Sequence, residues 1–342
     1  MESEIIRFIK EKRRCSSKEI FDGLTLSISY ATLKRILTRL NSKNYITTKG
    51  KGKGTKYLIS PTYELIQSVD MQKYYEKEID ERVINESFKP QVITEVLSKH
   101  NVFNEAELTT LFELQKIYDI NTKQLTSNEY KNELERLAID LSWKSSQIEG
   151  NTYSLLETER LLIEKETASG KTKEEAIMLL NHKDTIDFLI DNPNYLQSIS
   201  VSKIEDIHSM LTKGLSVERN IRKKRVGISG TNYRPLDNEF QILEALKNTC
   251  DLINKKESVF EKALLALVLI SYIQPFMDGN KRTARIVSNA ILMNANYCPL
   301  SFRTVDAIDY KKAMLLFYEQ NNISNFKEIF IHQFEFAVNT YF

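Results

Sequence analysis

The chain has 342 residues, 42% hydrophobic and 27% charged, the make-up of an ordinary globular protein long enough for two or three domains with real cores. Its longest apolar run, 263–273, is too short to span a bilayer, the charged N-terminus lacks a signal-like stretch, and Cys15, Cys250 and Cys298 form no Cys-x-x-Cys pair, so a reduced cytoplasmic setting fits best and no membrane is expected. The net charge of +2 hides an asymmetry: residues 1–60 hold 14 Lys+Arg against 5 Asp+Glu, and the remainder 34 against 41, which points a basic head toward a polyanion.

Residues 1–60 read as a winged helix-turn-helix. Ile5, Ile6 and Ile9 give a first helix its buried stripe, and Ser16 with Glu19 forms a capping box opening a short second helix that ends near Gly23. Leu33, Ile36, Leu37 and Leu40 recur at helical spacing and define a third helix, leaving Lys34, Arg35 and Arg39 to solvent. Two short strands follow, around Ile46 and Leu58, joined by a basic glycine-rich tip with Lys51 and Lys53. The tip lacks P-loop spacing and reads as a wing. Such a unit places its third helix in the major groove and its wing lysines on phosphates. It serves equally as a dimer or protein-recognition module, because fold alone does not fix function.

Pro61 marks a boundary, and the pattern beyond it is nearly all helical. Residues 64–85 are charged and amphipathic, a connector. Helices are expected over 104–118, 129–149, 154–166, 172–191, 201–213, 239–255, 259–273, 282–294, 307–319 and 325–342. A hairpin is expected where 225–228 and 232–234 flank Gly230. The four histidines show no metal-ligand spacing, and His208, among Ile204, Ile207 and Leu211, reads as a hydrogen-bonded packing residue.

The segment Gln274-Pro275-Phe276-Met277-Asp278-Gly279-Asn280-Lys281-Arg282-Thr283-Ala284-Arg285 carries the chemistry. Pro275 disfavours helix at Gln274, so the apolar helix must end there. Gly279 and Asn280 tolerate left-handed angles, which let successive N–H groups converge in an anion-binding nest. The next helix starts at about Lys281 or Arg282, and its N-terminal dipole adds positive potential at the same point. Arg282 and Arg285, three apart, put two forked donors on one face. Asp278 would repel a phosphate unless a hard cation sat between them, and Mg²⁺ suits that place.

These twelve residues resemble the signature of the Fic family, His-Pro-Phe-x-Asp/Glu-Gly-Asn-Gly/Lys-Arg-x-x-Arg, with every specified position matched except the first. The likeness extends over about 104–318 and leaves the N-terminal unit outside. It implies a mainly α fold, a helical core with a β-hairpin flap, and transfer of AMP from ATP to a Ser, Thr or Tyr hydroxyl of a target protein. By the same resemblance Asp278 would hold Mg²⁺, Gly279, Asn280 and Lys281 would cup the α-phosphate, and Arg282 and Arg285 would bind the outer phosphates. The segment with Val226, Gly227, Ile228, Gly230 and Tyr233 resembles the family's flap, whose free edge pairs with a target segment. Ser145, Glu149 and Gly150 resemble the inhibitory motif of autoinhibited members, in which the glutamate pairs with the second arginine, here Arg285. The implied organisation is a winged helix over 1–60, a helical connector over 61–103, a Fic-type core over 104–320 with its inhibitory helix at 129–150, and a C-terminal helix over 321–342. A homodimer follows from family habit.

At the first signature position the family has the histidine that accepts the proton of the attacking hydroxyl. Gln274 has no usable pKa, and general-base help is typically worth ~10²–10⁴-fold. Three readings follow: an ATP-binding protein built for AMP transfer but held weak or inactive by Glu149 and Gln274; a non-enzymatic regulator that senses nucleotide and binds DNA or a partner; and an enzyme removing AMP, using Glu149 to position water.

Overall fold

The computed structural model describes residues 1–24 and 28–342; the Lys53 side chain, expected to contact phosphate, lies outside the described residues. The chain forms two compact units, Met1–Ser68 and Val69–Phe342.

In the first unit α1 (Glu2–Lys12) buries Ile5, Ile6 and Ile9. The second helix, α2 (Ser17–Gly23), opens on the expected capping box: the Glu19 N–H donates to Ser16 Oγ at 3.2 Å and the Ser16 N–H to the Glu19 carboxylate at 2.5 Å. Ser29 caps α3 (Tyr30–Ser42), whose stripe of Leu33, Ile36, Leu37 and Leu40 is buried. Strands β1 (Ile46–Lys49) and β2 (Lys56–Ile59) pair antiparallel with Ile46 opposite Ile59, and Cys15 bridges Tyr57 on the outer side of β2. All of these apolar side chains share one core. Helix α4 (Pro61–Ile66), with Ser60 at its cap and Pro61 in its first turn, closes the winged helix.

The second unit begins with α5 (Met71–Tyr75) and a 3₁₀ turn, Ile79–Glu81. The amphipathic connector expected over 64–85 is built of short helical pieces. Gln67 is extended, and the Asp70 carboxylate accepts the Lys73 N–H, so a polar side chain starts a new helix instead of continuing the old one. Next come a π-helical turn (Val92–Leu97), α6 (Glu105–Thr122), α7 (Ser127–Ile148), α8 (Leu155–Glu164), α9 (Lys173–Asp191) and α10 (Val201–Leu211). They are followed by α11 (Glu239–Lys255), α12 (Val259–Ile273), α13 (Asn280–Asn294), α14 (Ala307–Gln320) and α15 (Ser324–Tyr341).

Helix α12 is the axis. Its residues from Ala263 to Ile273 are wholly buried, and α11, α13 and α14 pack around it. A helix apolar on every face must be enclosed by others. None of the described helices is long and apolar enough to cross a membrane. Helix α13 follows α12 directly in the chain and packs against it, and α7, α9 and α10 also contact it.

The expected hairpin over 225–234 is not formed as paired strands. Gly230 turns with φ 90°, but among the described residues β1 and β2 make the one sheet. Instead Arg234 makes a parallel bridge with Ser87. Alternating Val226 and Ile228 read as a strand, yet the far arm found its ladder partner upstream in the chain and not across its own turn.

Candidate functional site

The site lies where α12 ends and α13 begins. Gln274, ahead of Pro275, takes a left-handed conformation (φ 53°, ψ 60°) that stops α12. Gly279 turns the chain again at φ 77°, and no side chain caps the first turn of α13. A Cβ on Gly279 would meet Thr212 Cγ2 at 3.3 Å and Arg282 Nη2 at 3.5 Å, so the position suits glycine both sterically and conformationally. Asn280 braces the loop from within: its Oδ1 accepts the Phe276 N–H at 2.8 Å, and its Nδ2 donates to the Phe276 carbonyl at 2.8 Å and to Gln274 Oε1 at 3.1 Å. The uncapped N–H groups of α13 are thus held at the mouth of a positive helix end.

Two guanidinium groups stand behind this mouth. Arg282 is 1% exposed, and one of its nitrogens, Nη2, meets Asp278 at 3.2 Å, while Nε and Nη1 are buried without a partner. Burial pushes its pKa down, with Asp278 and Glu149 opposing. Arg285 is wholly buried; its Nε donates to Ser145 Oγ at 2.8 Å and its Nη2 to the Ser145 carbonyl at 2.9 Å and to Glu149 Oε1 at 3.2 Å. Its Nη1 has no partner, and the group stacks 5.2 Å from the Tyr310 ring centre. Unsatisfied buried donors are costly, so these arginines are poised for an acceptor.

Glu149 ends α7, with Gly150 beyond it at φ 97°. The carboxylate meets Arg285 with one oxygen and Lys281 Nζ with the other, each at 3.2 Å. Burial alone would raise its pKa; Arg285 and Lys281 outweigh that and hold it below the usual carboxylate range. The structure therefore brings Ser145, Glu149, Lys281, Arg282 and Arg285 together. Asp278 is mostly exposed and pairs with Arg282.

Gln274 is held by its own amide, Nε2 donating to the Ser271 carbonyl at 2.7 Å. His208 packs as expected: it stacks on Phe276 at 3.7 Å, and its ring nitrogens meet the carbonyls of Asp278 (3.0 Å) and Arg219 (3.3 Å). Burial lowers its pKa.

In the flap Val226 and Ile228 are half-buried and Gly227 and Gly230 exposed. Tyr233, expected to face a target, is instead 2% exposed, stacked on Tyr272 and Tyr318, and donates its hydroxyl to the Tyr272 carbonyl at 3.0 Å. An aromatic ring at the foot of a flap is worth more in the core than in water. In the N-terminal unit Lys34, Arg35, Arg39 and Lys51 are exposed, Lys34 lying over the Tyr30 ring and Arg39 pairing with Glu2 at 2.5 Å.

Two residues escaped sequence reasoning. Arg222, wholly buried, donates to the carbonyls of Gln274 (2.7 Å), Lys224 (2.8 Å) and Leu236, tying both roots of the flap to the signature loop. In sequence it opens the run Arg222-Lys223-Lys224-Arg225, where nothing separates it from solvated neighbours. His182 on α9 is wholly buried with both ring nitrogens unpartnered. Burial first, then Arg285 and Arg282, push its pKa well below the ordinary value, so it is neutral.

No cluster of three or more His, Cys, Asp or Glu is arranged to hold a metal among the described residues. A Mg²⁺ ion carried on phosphates needs only one or two protein carboxylates. Exposed Asp278, directly before the nest, fits that demand.

Residues 198–292 match the Fic/DOC family model, and residues 1–116 match the penicillinase repressor model. A protein adenylyltransferase Fic of Nematostella vectensis is 30% identical over 195 residues, covering 55% of this chain and 43% of that protein. The protein adenylyltransferase fic-1 of Caenorhabditis elegans is 27% identical over 161 residues, covering 45% and 31%. The chain thus spans less than half the length of these relatives. Among solved structures, Fic-1 from C. elegans superposes with a TM-score of 0.60 at 21% identity, covering 69% of this chain and 72% of that one. A Fic domain-containing signalling protein from Bacteroides thetaiotaomicron gives 0.56 at 16%, covering 67% and 94%. These likenesses establish the fold.

Proposed function

We propose that the chain, whose residues 198–292 match the Fic/DOC family model and 1–116 the penicillinase repressor model, binds ATP with Mg²⁺ at the start of α13 in a site built to transfer AMP to a protein hydroxyl, restrained by Glu149 and by Gln274. The observation that carries this reading is the pair Arg282 and Arg285, buried at an uncapped helix N-terminus with donor nitrogens unpaired. Two buried cations with open donors are expensive to keep unless an anion completes them.

In this reading the backbone N–H groups of 279–281 receive the α-phosphate, and the two arginines receive the outer phosphates. Asp278 would hold Mg²⁺, which supplies charge neutralisation on the phosphate oxygens. Glu149 competes for Arg285 and Lys281, so a γ-phosphate and the carboxylate cannot both be accommodated at full strength. In transfer, the target hydroxyl oxygen bonds to the α-phosphorus, the bond to the β-phosphate oxygen breaks, and pyrophosphate leaves. The hydroxyl proton needs an acceptor, and the amide at 274 is none. Arg222 fixes the Gln274 carbonyl and the flap in one frame, so the geometry for an acceptor persists although the group is missing.

The test is incubation with ATP labelled in its AMP moiety. The double variant Gln274→His with Glu149→Gly labels protein, and the unmodified chain labels little. No labelling and no ATP binding in any variant would end this account.

The basic outer face of α3 and the match to the penicillinase repressor model favour a second role for the same chain, binding of duplex DNA through the winged helix. Such binding would weaken steeply with salt.

A further inference from the structure

The far arm of the flap has a partner within the second unit that the signature did not announce. Upstream residues 80–88 run beside it: Ser87 bridges Arg234 in parallel, and the Arg234 N–H donates to the Glu86 carbonyl at 2.9 Å. Arg82 Nη2 donates to the carbonyl of Gly230 at the flap's turn at 3.0 Å, and Asn232 Nδ2 to Asp80 Oδ1 at 3.2 Å.

This upstream segment is anchored too deeply to be a removable plug. The Arg82 side chain is 4% exposed, and its Nη1 reaches both oxygens of wholly buried Glu319 at 3.1 Å; Tyr74 also donates to that carboxylate, at 2.7 Å. Phe88 is buried against Tyr272, two residues before Gln274, with ring centres 4.7 Å apart, and the Lys89 N–H donates to the Tyr272 hydroxyl at 2.9 Å. Lifting the segment would strand a buried carboxylate without its cation. The near arm differs: among the described residues no backbone hydrogen bond joins 225–229 to a neighbouring strand.

We propose that residues 80–88 are a fixed strap holding the far arm of the flap, and that Arg82 is its positioning residue, setting the height of the near arm, 225–229, over position 274. The part concerning position 274 rests on the site described under the proposed function.

Hydrogen exchange on the full chain tests the strap without any activity. In Arg82→Ala the amides of 230–235 exchange at least tenfold faster, those of 225–229 change little, and calorimetric ATP affinity stays within twofold. Because Arg82→Ala leaves Glu319 unpaired, the double change Arg82→Gln/Glu319→Gln is the second variant, with the same result expected. Unchanged exchange at 230–235 in both overturns the strap. In the Gln274→His/Glu149→Gly background, strap variants label with AMP at least tenfold more slowly at unchanged KM for ATP; an unchanged rate overturns the positioning role. A background that labels nothing counts against the proposed function alone, since the exchange result still decides the strap.

Discussion

An amide at position 274 can brace a loop but cannot take a proton. In the Glu149→Gly background, Gln274→His should therefore raise the single-turnover rate of AMP transfer by ~10²–10⁴-fold with little change in ATP affinity; equal rates would show that the position carries no proton. Glu149 gives a pH prediction. Its folded-state pKa is depressed, so the stability it contributes is present above the ordinary carboxylate value and is lost as pH falls through the lowered one. The stability gap between the chain and Glu149→Gln, measured by urea unfolding, should be flat from pH 8 to about 5 and close on further acidification. His182 acts in the same direction: its folded pKa is lowered, so as pH falls below about 6.5 the unfolded state takes up the proton first and the fold is destabilised. His182→Asn should flatten that part of the profile. Twelve contiguous residues made the anion site legible, because a nest, a helix start and an i, i+3 arginine pair are local. Arg222 and His182 were not legible, since Arg222 reaches a carbonyl of a distant loop and His182 is enclosed near the arginines of α13, while their own neighbours in sequence look ordinary.

Helices with a clear apolar stripe and a cap came out near their expected ends: α7 at Ser127–Ile148, α12 at Val259–Ile273, and α2 on the Ser16–Glu19 box. Amphipathic spacing over 64–85 does not show where the connector breaks, because Asp70 turns its carboxylate to a backbone N–H and starts a new helix. The flap failed because alternation announces a strand without naming its partner, and Ser87 lies far upstream of Arg234. At the head of α13, Gly279→Ala forces a Cβ into a left-handed residue packed against Thr212. It should weaken ATP binding more than tenfold on calorimetry while α13 itself stays helical by circular dichroism. On α3, replacing Lys34, Arg35 and Arg39 by alanine should weaken duplex DNA binding on every sequence alike and reduce the salt slope. An unchanged slope would favour protein recognition by that face.

At the scale of the molecule, a helix buried on all sides carries the signature loop at its end, and that rigidity keeps Gln274, Gly279 and both arginines in register. Around it, Glu149 closes the site from α7 and Arg222 ties in the flap. Calorimetric titration of ATP with Mg²⁺ into the chain and into Glu149→Gly separates binding from chemistry and addresses this arrangement at its centre. Saturable one-site binding is expected in both, tighter in Glu149→Gly, where Arg285 and Lys281 are released to the phosphates, and lost in Arg282→Ala. Absence of binding in the chain and in Glu149→Gly alike, with both folded, would contradict the proposed site.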